Sequence, residues 1–247
     1  MDRYGLIGYP LEHSFSKSFF TDKFASEGIN AEYVNFELPA IEDFPEIVSV
    51  YRNIKGLNVT IPYKERIIPF LDTISKEARE IGAVNIVKVE RRGGSTRLIG
   101  HNSDYIGFKD SIEPLLKTHH KKALILGTGG ASKAVHYTLT KILGMETVFV
   151  SRFERPGTVT YKDLNADVVR EYEVIVNCTP VGMFPNNDDA PNIPYDALSE
   201  KNILFDLIYN PDVTRFMQLG AAQGAQVKNG LEMLILQAMA SWKFWNE

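Results

Sequence analysis

The 247-residue chain has a single cysteine, Cys178. An internal disulfide is thereby excluded, and a reducing compartment is expected. No apolar run approaches the roughly 18 residues that a membrane helix needs, so no membrane partner is expected. Positive charge is not in excess: 27 Lys and Arg face 31 Asp and Glu, for a net charge of −4. No global field therefore draws the chain to nucleic acid or to an anionic membrane, and neither is expected as a partner. Met1-Asp2-Arg3-Tyr4-Gly5 is not a basic segment leading into an apolar one, so no secretory signal is expected. Internal repeats and low-complexity stretches are also missing. With 44% hydrophobic and 23% charged residues, the chain has ample core for one large or two small domains. The expectation is a soluble, cytoplasmic protein, monomeric or homodimeric. A small anionic ligand stays open to it, because binding one takes only local positive charge.

The stretch around which the rest is organised is Gly56-Leu57-Asn58-Val59-Thr60-Ile61-Pro62-Tyr63-Lys64. Alternate residues of a strand share a face, so Asn58 and Thr60 point the same way. Pro62 cannot donate to a ladder and ends the strand. Lys64 then falls just past the strand end, as a cation above a polar face.

Periodicity places strands at 4–8, 31–38, 56–61, 83–90 and 95–100, with a Gly93-Gly94 turn joining the last two. Helices are expected at 17–28, 42–53, 64–71, 75–81 and 105–116. Past a boundary near 103 the pattern becomes more regular. Strands at 123–127, 146–151, 172–177, 202–207 and 225–228 alternate with helices from the glycine-rich turn to about 143 and at 212–222. A strongly apolar helix, 231–245, closes the chain. The fold class expected is α/β in two domains, the second a doubly wound, Rossmann-like sheet. The closing helix can pack back on the first domain. That gives domains of 1–103 plus 230–247, and of 104–229.

The turn Gly127-Thr128-Gly129-Gly130-Ala131-Ser132 follows a strand and opens a helix. Glycines let backbone approach a pyrophosphate, and the helix N-terminus holds its charge. The third glycine departs from the usual G-x-G-x-x-G spacing. An NAD site shows an acidic residue at the end of the second strand, roughly 20 residues on. Here the chain reads Ser151-Arg152-Phe153-Glu154-Arg155. The serine and two arginines suit a 2′-phosphate, so NADP is the expected cofactor. A solvated loop is the alternative, and Glu154 speaks for it.

Lys64 and Asp104 form the candidate acid/base pair, able to give a proton to a carbonyl and take it back. Either alone reads as well as an exposed lysine or a capping aspartate. Asn58, Thr60 and Asn85 beside them are hard to explain by capping. Ser14 and Ser16 offer hydroxyls to a carboxylate, or simply cap the helix that follows. No metal is expected: His13 has no partner at ligand spacing. His119-His120 sits in a basic linker and is expected to be solvated.

These stretches resemble the shikimate dehydrogenase family. The resemblance runs through Gly8-x-Pro10-x-x-His13-Ser14-x-Ser16, Asn58-Val59-Thr60-x-Pro62-x-Lys64, Gly82-Ala83-Val84-Asn85 and Asn102-Ser103-Asp104. It continues through Gly127-x-Gly129-Gly130-Ala131-Ser132, Asn177-x-Thr179-Pro180-Val181-Gly182-Met183, Asp206-x-x-Tyr209-x-Pro211 and Gly230-x-x-Met233-Leu234-x-x-Gln237-Ala238. It implies reversible, NADPH-dependent reduction of 3-dehydroshikimate to shikimate, a step toward chorismate and the aromatic amino acids. It implies Lys64 as general acid/base assisted by Asp104, and Ser14 and Ser16 on the substrate carboxylate. Thr60, Asn85, Asp104 and Gln237 would bond the ring hydroxyls, with Tyr209 near the substrate and Asn58 supporting the site. Gly127, Thr128, Gly129, Gly130 and Ala131 would hold the pyrophosphate, and Ser151 and Arg152 the 2′-phosphate. Leu207 and Gly230 would line the nicotinamide. Departures from the family pattern are Lys17 for proline, Ser151 and Phe153 for the asparagine and threonine of an Asn-Arg-Thr, His101 for an acidic residue and Ser103 for threonine. The rival readings are a quinate or shikimate dehydrogenase using NAD, and a non-catalytic dinucleotide sensor.

Overall fold

The computed structural model describes residues 1–11 and 14–247. Its contacts divide the chain into Met1–Ser103 with Ala238–Glu247, and Asp104–Gln237. Among the described residues no helix is long and apolar enough to cross a membrane.

The first unit is built on a six-stranded sheet. Its strands are β1 (Asp2–Gly8), β2 (Ala31–Glu37), β3 (Ile54–Val59), β4 (Thr73–Ile74), β5 (Ile86–Arg92) and β6 (Ser95–His101), in the order β2-β1-β3-β5-β6-β4. Its helices are α1 (Phe15–Ser26), α2 (Phe44–Val50) and α3 (Lys76–Ile81). β1 pairs in parallel with β2 and β3, while β5 runs antiparallel to β3 and β6. Gly93 and Gly94, at φ 57° and 85°, make the two-residue turn from β5 to β6 that the Gly-Gly pair predicts.

Both faces of this sheet are covered, so β3 buries residues on both sides. Leu57 and Val59 enter a core with Ile7, Phe44, Tyr63 and Val87. Asn58 faces the other way, toward the aromatic cluster of Tyr4, Phe20, Tyr33 and Trp245. Trp245 lies on α8 (Leu231–Asn246) and donates from Nε1 to the Val87 carbonyl at 3.2 Å.

The expected helix over 64–71 is not formed. Its place is taken by hydrogen-bonded turns and a 3₁₀ segment, Ile68–Phe70. Pro69 lacks the N–H that would continue an α-helix, and its ring would press on the carbonyl four residues back. Pro114 acts similarly at the end of α4 (Asp104–Ile112), which tightens into a 3₁₀ turn over Glu113–Leu115.

The second unit is an all-parallel, six-stranded sheet. Its strands are β7 (Lys122–Leu126), β8 (Glu146–Ser151), β9 (Thr158–Thr160), β10 (Val174–Asn177), β11 (Ile203–Asp206) and β12 (Gln226–Lys228). Their order, β12-β11-β10-β7-β8-β9, is the doubly wound dinucleotide-binding order. Leu124 and Leu126 enter one core with Val169 and Phe216, from α6 (Ala166–Arg170) and α7 (Arg215–Ala221). Ala123 and Ile125 enter another with Phe108 of α4, Met233 of α8, and Val135 of α5 (Gly130–Tyr137). Alternate residues of one strand thus feed helices on both faces.

Three further features depart from the sequence expectation. β9 has no counterpart in it, and this strand joins β8 through only six residues, 152–157, where parallel crossovers commonly take a dozen or more. His120 is not solvated: it is buried, accepts the Lys117 N–H at Nδ1, and bonds the Lys201 carbonyl through Nε2 at 3.1 Å. The return to the first unit falls at Ala238, against 230 in the sequence expectation. Met233 is part of the second unit's core, and Gly107 packs directly against the Met233 carbonyl and the Gln237 backbone.

Gly56 gives a direct test of the first unit's packing. A Cβ there would lie 2.4 Å from the Trp245 ring. Gly56→Ala should cost about 1–3 kcal/mol by overpacking, read as a lower denaturant midpoint at unchanged slope. An unchanged midpoint would show that Trp245 is free to move aside.

Candidate active site

In the first unit, the end of β3 holds the expected cation by its backbone. The Thr60 N–H donates to the Ile7 carbonyl at 2.8 Å, and the Thr60 carbonyl accepts from Tyr63 at 2.9 Å. Tyr63 is buried, and its hydroxyl donates to the Leu38 carbonyl. The Lys64 carbonyl accepts the Val84 N–H at 2.7 Å, one residue before Asn85. Lys64 is half-buried, as are Thr60, Ser14 and Ser16.

Asn58 and Asn85 are buried, and their amides bond to other parts of the protein. Asn58 Oδ1 accepts from the Tyr33 hydroxyl at 2.8 Å, and its Nδ2 donates to Ser241 Oγ at 2.9 Å. Asn58 is only 5% exposed, so both ends of its amide serve the protein interior. Asn85 Oδ1 accepts the Ser103 N–H at 2.6 Å, and its Nδ2 donates to Ser103 Oγ at 3.0 Å. The two serine hydroxyls, Ser103 and Ser241, lie 3.2 Å apart. Burial drives the Tyr33 phenol well above its usual range, opposed by a hydrogen bond with Ser16. Ser16, Tyr33, Asn58, Ser241, Ser103 and Asn85 therefore form a continuous polar chain inside the first unit.

Ser14 caps α1, its Oγ accepting the Lys17 N–H at 3.2 Å, and Lys17 is exposed. His13 of the resemblance lies outside the described residues.

In the second unit, Asp104 opens α4 and is 6% exposed. The glycine-rich turn carries the chain from β7 into α5. Gly127 has φ 103°, a left-handed conformation that favours glycine, and its Cβ position lies 3.1 Å from Thr179 Cγ2. Gly129 is the N-cap of α5, and a Cβ there would meet nothing within 4 Å. Open space at a helix N-terminus, ahead of Gly130 and Ala131, suits a pyrophosphate. Thr128 is half-buried in the same turn. At the end of β8, Ser151 is buried and its Oγ accepts from the Phe153 N–H at 3.2 Å. Arg152 is exposed, its guanidinium 5.8 Å from the Phe153 ring centroid. The site fits a dinucleotide, with a cation at the end of the second strand where an NAD site carries an acid.

Gly230 opens α8 against Leu207, where a Cβ would clash with the Leu207 carbonyl. Tyr209 follows on the same loop and is 37% exposed. Gln237 is buried, its Nε2 donating to the Leu234 carbonyl at 2.8 Å.

Sequence reasoning assigns no role to the groups that hold the strand ends of this unit. Asp206, fully buried, accepts from Asn177 Nδ2 at 3.0 Å, the Ile208 N–H at 3.1 Å and Thr214 Oγ1 at 2.7 Å. Asn177 Oδ1 in turn accepts from the Thr179 N–H and hydroxyl, at 3.0 and 2.6 Å. The loop after β10 is thus latched to β11 beside the glycine-rich turn. The signal available was a polar residue ending each of two buried apolar strands.

A parallel sheet of this order, with such a turn after its first strand, defines a dinucleotide-binding unit in a chain of two α/β units. Residues 6–87 match the model of the shikimate dehydrogenase substrate binding domain. The chain belongs to the shikimate dehydrogenase family. It is 35% identical over 262 residues to a shikimate dehydrogenase (NADP(+)) of Caldicellulosiruptor saccharolyticus, covering 99% of this chain and 92% of the relative. It is 37% identical over 257 residues to one of Methanococcus maripaludis, covering 98% and 90%. The crystal structure of the Thermus thermophilus shikimate 5-dehydrogenase in complex with NADP(H) and shikimate superposes with a TM-score of 0.86. That protein is 30% identical, and the match covers 99% of this chain and 93% of its own.

Burial pushes the Asp206 carboxyl up to about 6, against the pull of its three donors. A group whose pKa is higher in the folded state binds protons more tightly there. Its stabilising contribution is complete below the unfolded value of 3.8 and is lost as pH rises through about 6. Relative to Asp206→Asn, the wild type should lose about 3 kcal/mol of stability across that interval. Urea unfolding at several pH values measures it, and parallel curves for the two proteins would refute it.

Proposed function

We propose that this chain is an NADP-dependent shikimate dehydrogenase that interconverts 3-dehydroshikimate and shikimate. The observation that carries the reading is a lysine pinned through its backbone between the polar residues Thr60 and Asn85. NADPH, when bound, supplies the hydride that a substrate carbonyl carbon accepts. Gly127 to Ala131 hold its pyrophosphate, Ser151 and Arg152 its 2′-phosphate, and Leu207 and Gly230 border its nicotinamide.

Lys64 gives its ammonium proton to the carbonyl oxygen as that oxygen gains negative charge, and in the reverse direction takes it from the hydroxyl. Asp104 assists the lysine and bonds a ring hydroxyl. The Ser14 and Ser16 hydroxyls bind the substrate carboxylate, a role compatible with Ser14 also capping α1. Thr60, Asn85 and Gln237 bond ring hydroxyls, and Tyr209 borders the substrate. Asn58 supports this set rather than touching the ligand, because its amide is engaged on both ends.

Initial rates with shikimate and quinate, each with NADP and NAD, test the reading. Turnover is expected to be fastest with shikimate and NADP. Preference for quinate or NAD would move the assignment within the family, and no turnover with any pair would leave only a dinucleotide sensor. Lys64→Ala should lower kcat by on the order of 10²–10⁴, with a smaller effect on cofactor binding. A wild-type rate in that variant would remove the lysine from the mechanism.

A further inference from the structure

Ser241 lies on α8 with no exposed surface and belongs to none of the family-like motifs. We propose that Ser241 is a positioning residue for the substrate, bridging the two segments that carry the ring-hydroxyl ligands. The proposal rests on the shikimate reading of the site.

One segment is the end of β3, where Asn58 stands two residues before Thr60. The other joins Asn85 to the Asn102-Ser103 turn. Ser241 Oγ accepts from Asn58 Nδ2 at 2.9 Å and lies 3.2 Å from Ser103 Oγ. Ser103 in turn holds both ends of the Asn85 amide. The side chains of Asn85 and of Asn58, two residues before Thr60, are therefore tied to one hydroxyl on a helix far away in the chain. Without that hydroxyl, Asn58 Nδ2 keeps the longer contact to the Asn85 carbonyl, at 3.4 Å.

A serine inside a helix could instead be a filler that bonds its own preceding turn. The two roles separate cleanly, because alanine is the better helix former and suits a filler position. If Ser241 positions the ligands, Ser241→Ala should raise the KM for shikimate about threefold to tenfold, the effect of one neutral hydrogen bond, and leave the KM for NADP within about twofold. Ser241→Cys, close in volume but a weak hydrogen-bonding group, should behave the same way and serves if the alanine variant does not fold. Asn58→Ala combined with Ser241→Ala should cost no more than the larger single effect, since both act through one bridge.

An active wild type with an unmoved shikimate KM in both Ser241 variants overturns this proposal alone. So does a parallel rise in both KM values, which would mark a general structural loss. A wild type inactive with shikimate and NADP overturns the substrate reading and this proposal with it.

Discussion

An amide buried in a sheet must find partners at both of its ends, because each unpaired end costs about 1–3 kcal/mol. Asn58 meets this requirement on β3, a strand whose Leu57 and Val59 are committed to the opposite core. Its partners come from β2, from the residue before β5 and from α8. One side chain thus ties α8 to the central strand and adds a side-chain link to the ladders that already hold β2 and β5 in the sheet. Two of the proposed ring-hydroxyl ligands connect to it: Thr60 follows on the same face, and Asn85 is reached through the two serines. The polar chain does not replace the hydrophobic contacts around Tyr4, Phe20 and Trp245. It fixes the orientation those non-directional contacts leave open.

The second unit solves a related problem with a carboxylate. Asp206 sits at the end of a buried strand, where an unpaired charge would be costly. Three donors satisfy it, and two of them come from the segment that follows β11. The remaining donor, Asn177, passes the order on to Thr179, which packs against Gly127. The glycine-rich turn is therefore constrained from its own left-handed backbone and from the neighbouring strand end. In both units, a buried polar side chain at a strand's C-terminal end organises the loops where a ligand is expected.

Much of this was legible in the chain. The alternation over 56–61 places Asn58 and Thr60 on one face, and the strand, turn and helix around Gly127 are local patterns. What stayed hidden is non-local or fails a local rule. Asn58 and Ser241 are 183 residues apart, and Ser103 and Ser241 138 apart, so no window contains either pair. β4 and β9 are two and three residues long, too short to show a period. The segment 64–71 has a helical pattern of apolar residues, but Pro69 decides its geometry. His120 reads as solvated because its neighbours are basic, while the Lys201 carbonyl that receives its N–H is 81 residues away.

The proposed acid/base lysine shows why backbone placement matters as much as residue choice. A lysine side chain is long and loses roughly 2 kcal/mol of rotamer freedom when it is ordered. If its Cα also wandered, proton transfer would require both motions to coincide. The chain removes the second one. Tyr63 is anchored in the core on one side of Lys64, and the Lys64 carbonyl is tied to Val84 on the other. Val84 is joined directly to Asn85, and the Asn85 carbonyl receives the Val59 N–H. Lysine and proposed ligand thus hang from a single hydrogen-bonded ring of backbone, closed through β3. Within that ring only side-chain torsions remain to be selected, which is the ordering that productive proton transfer requires.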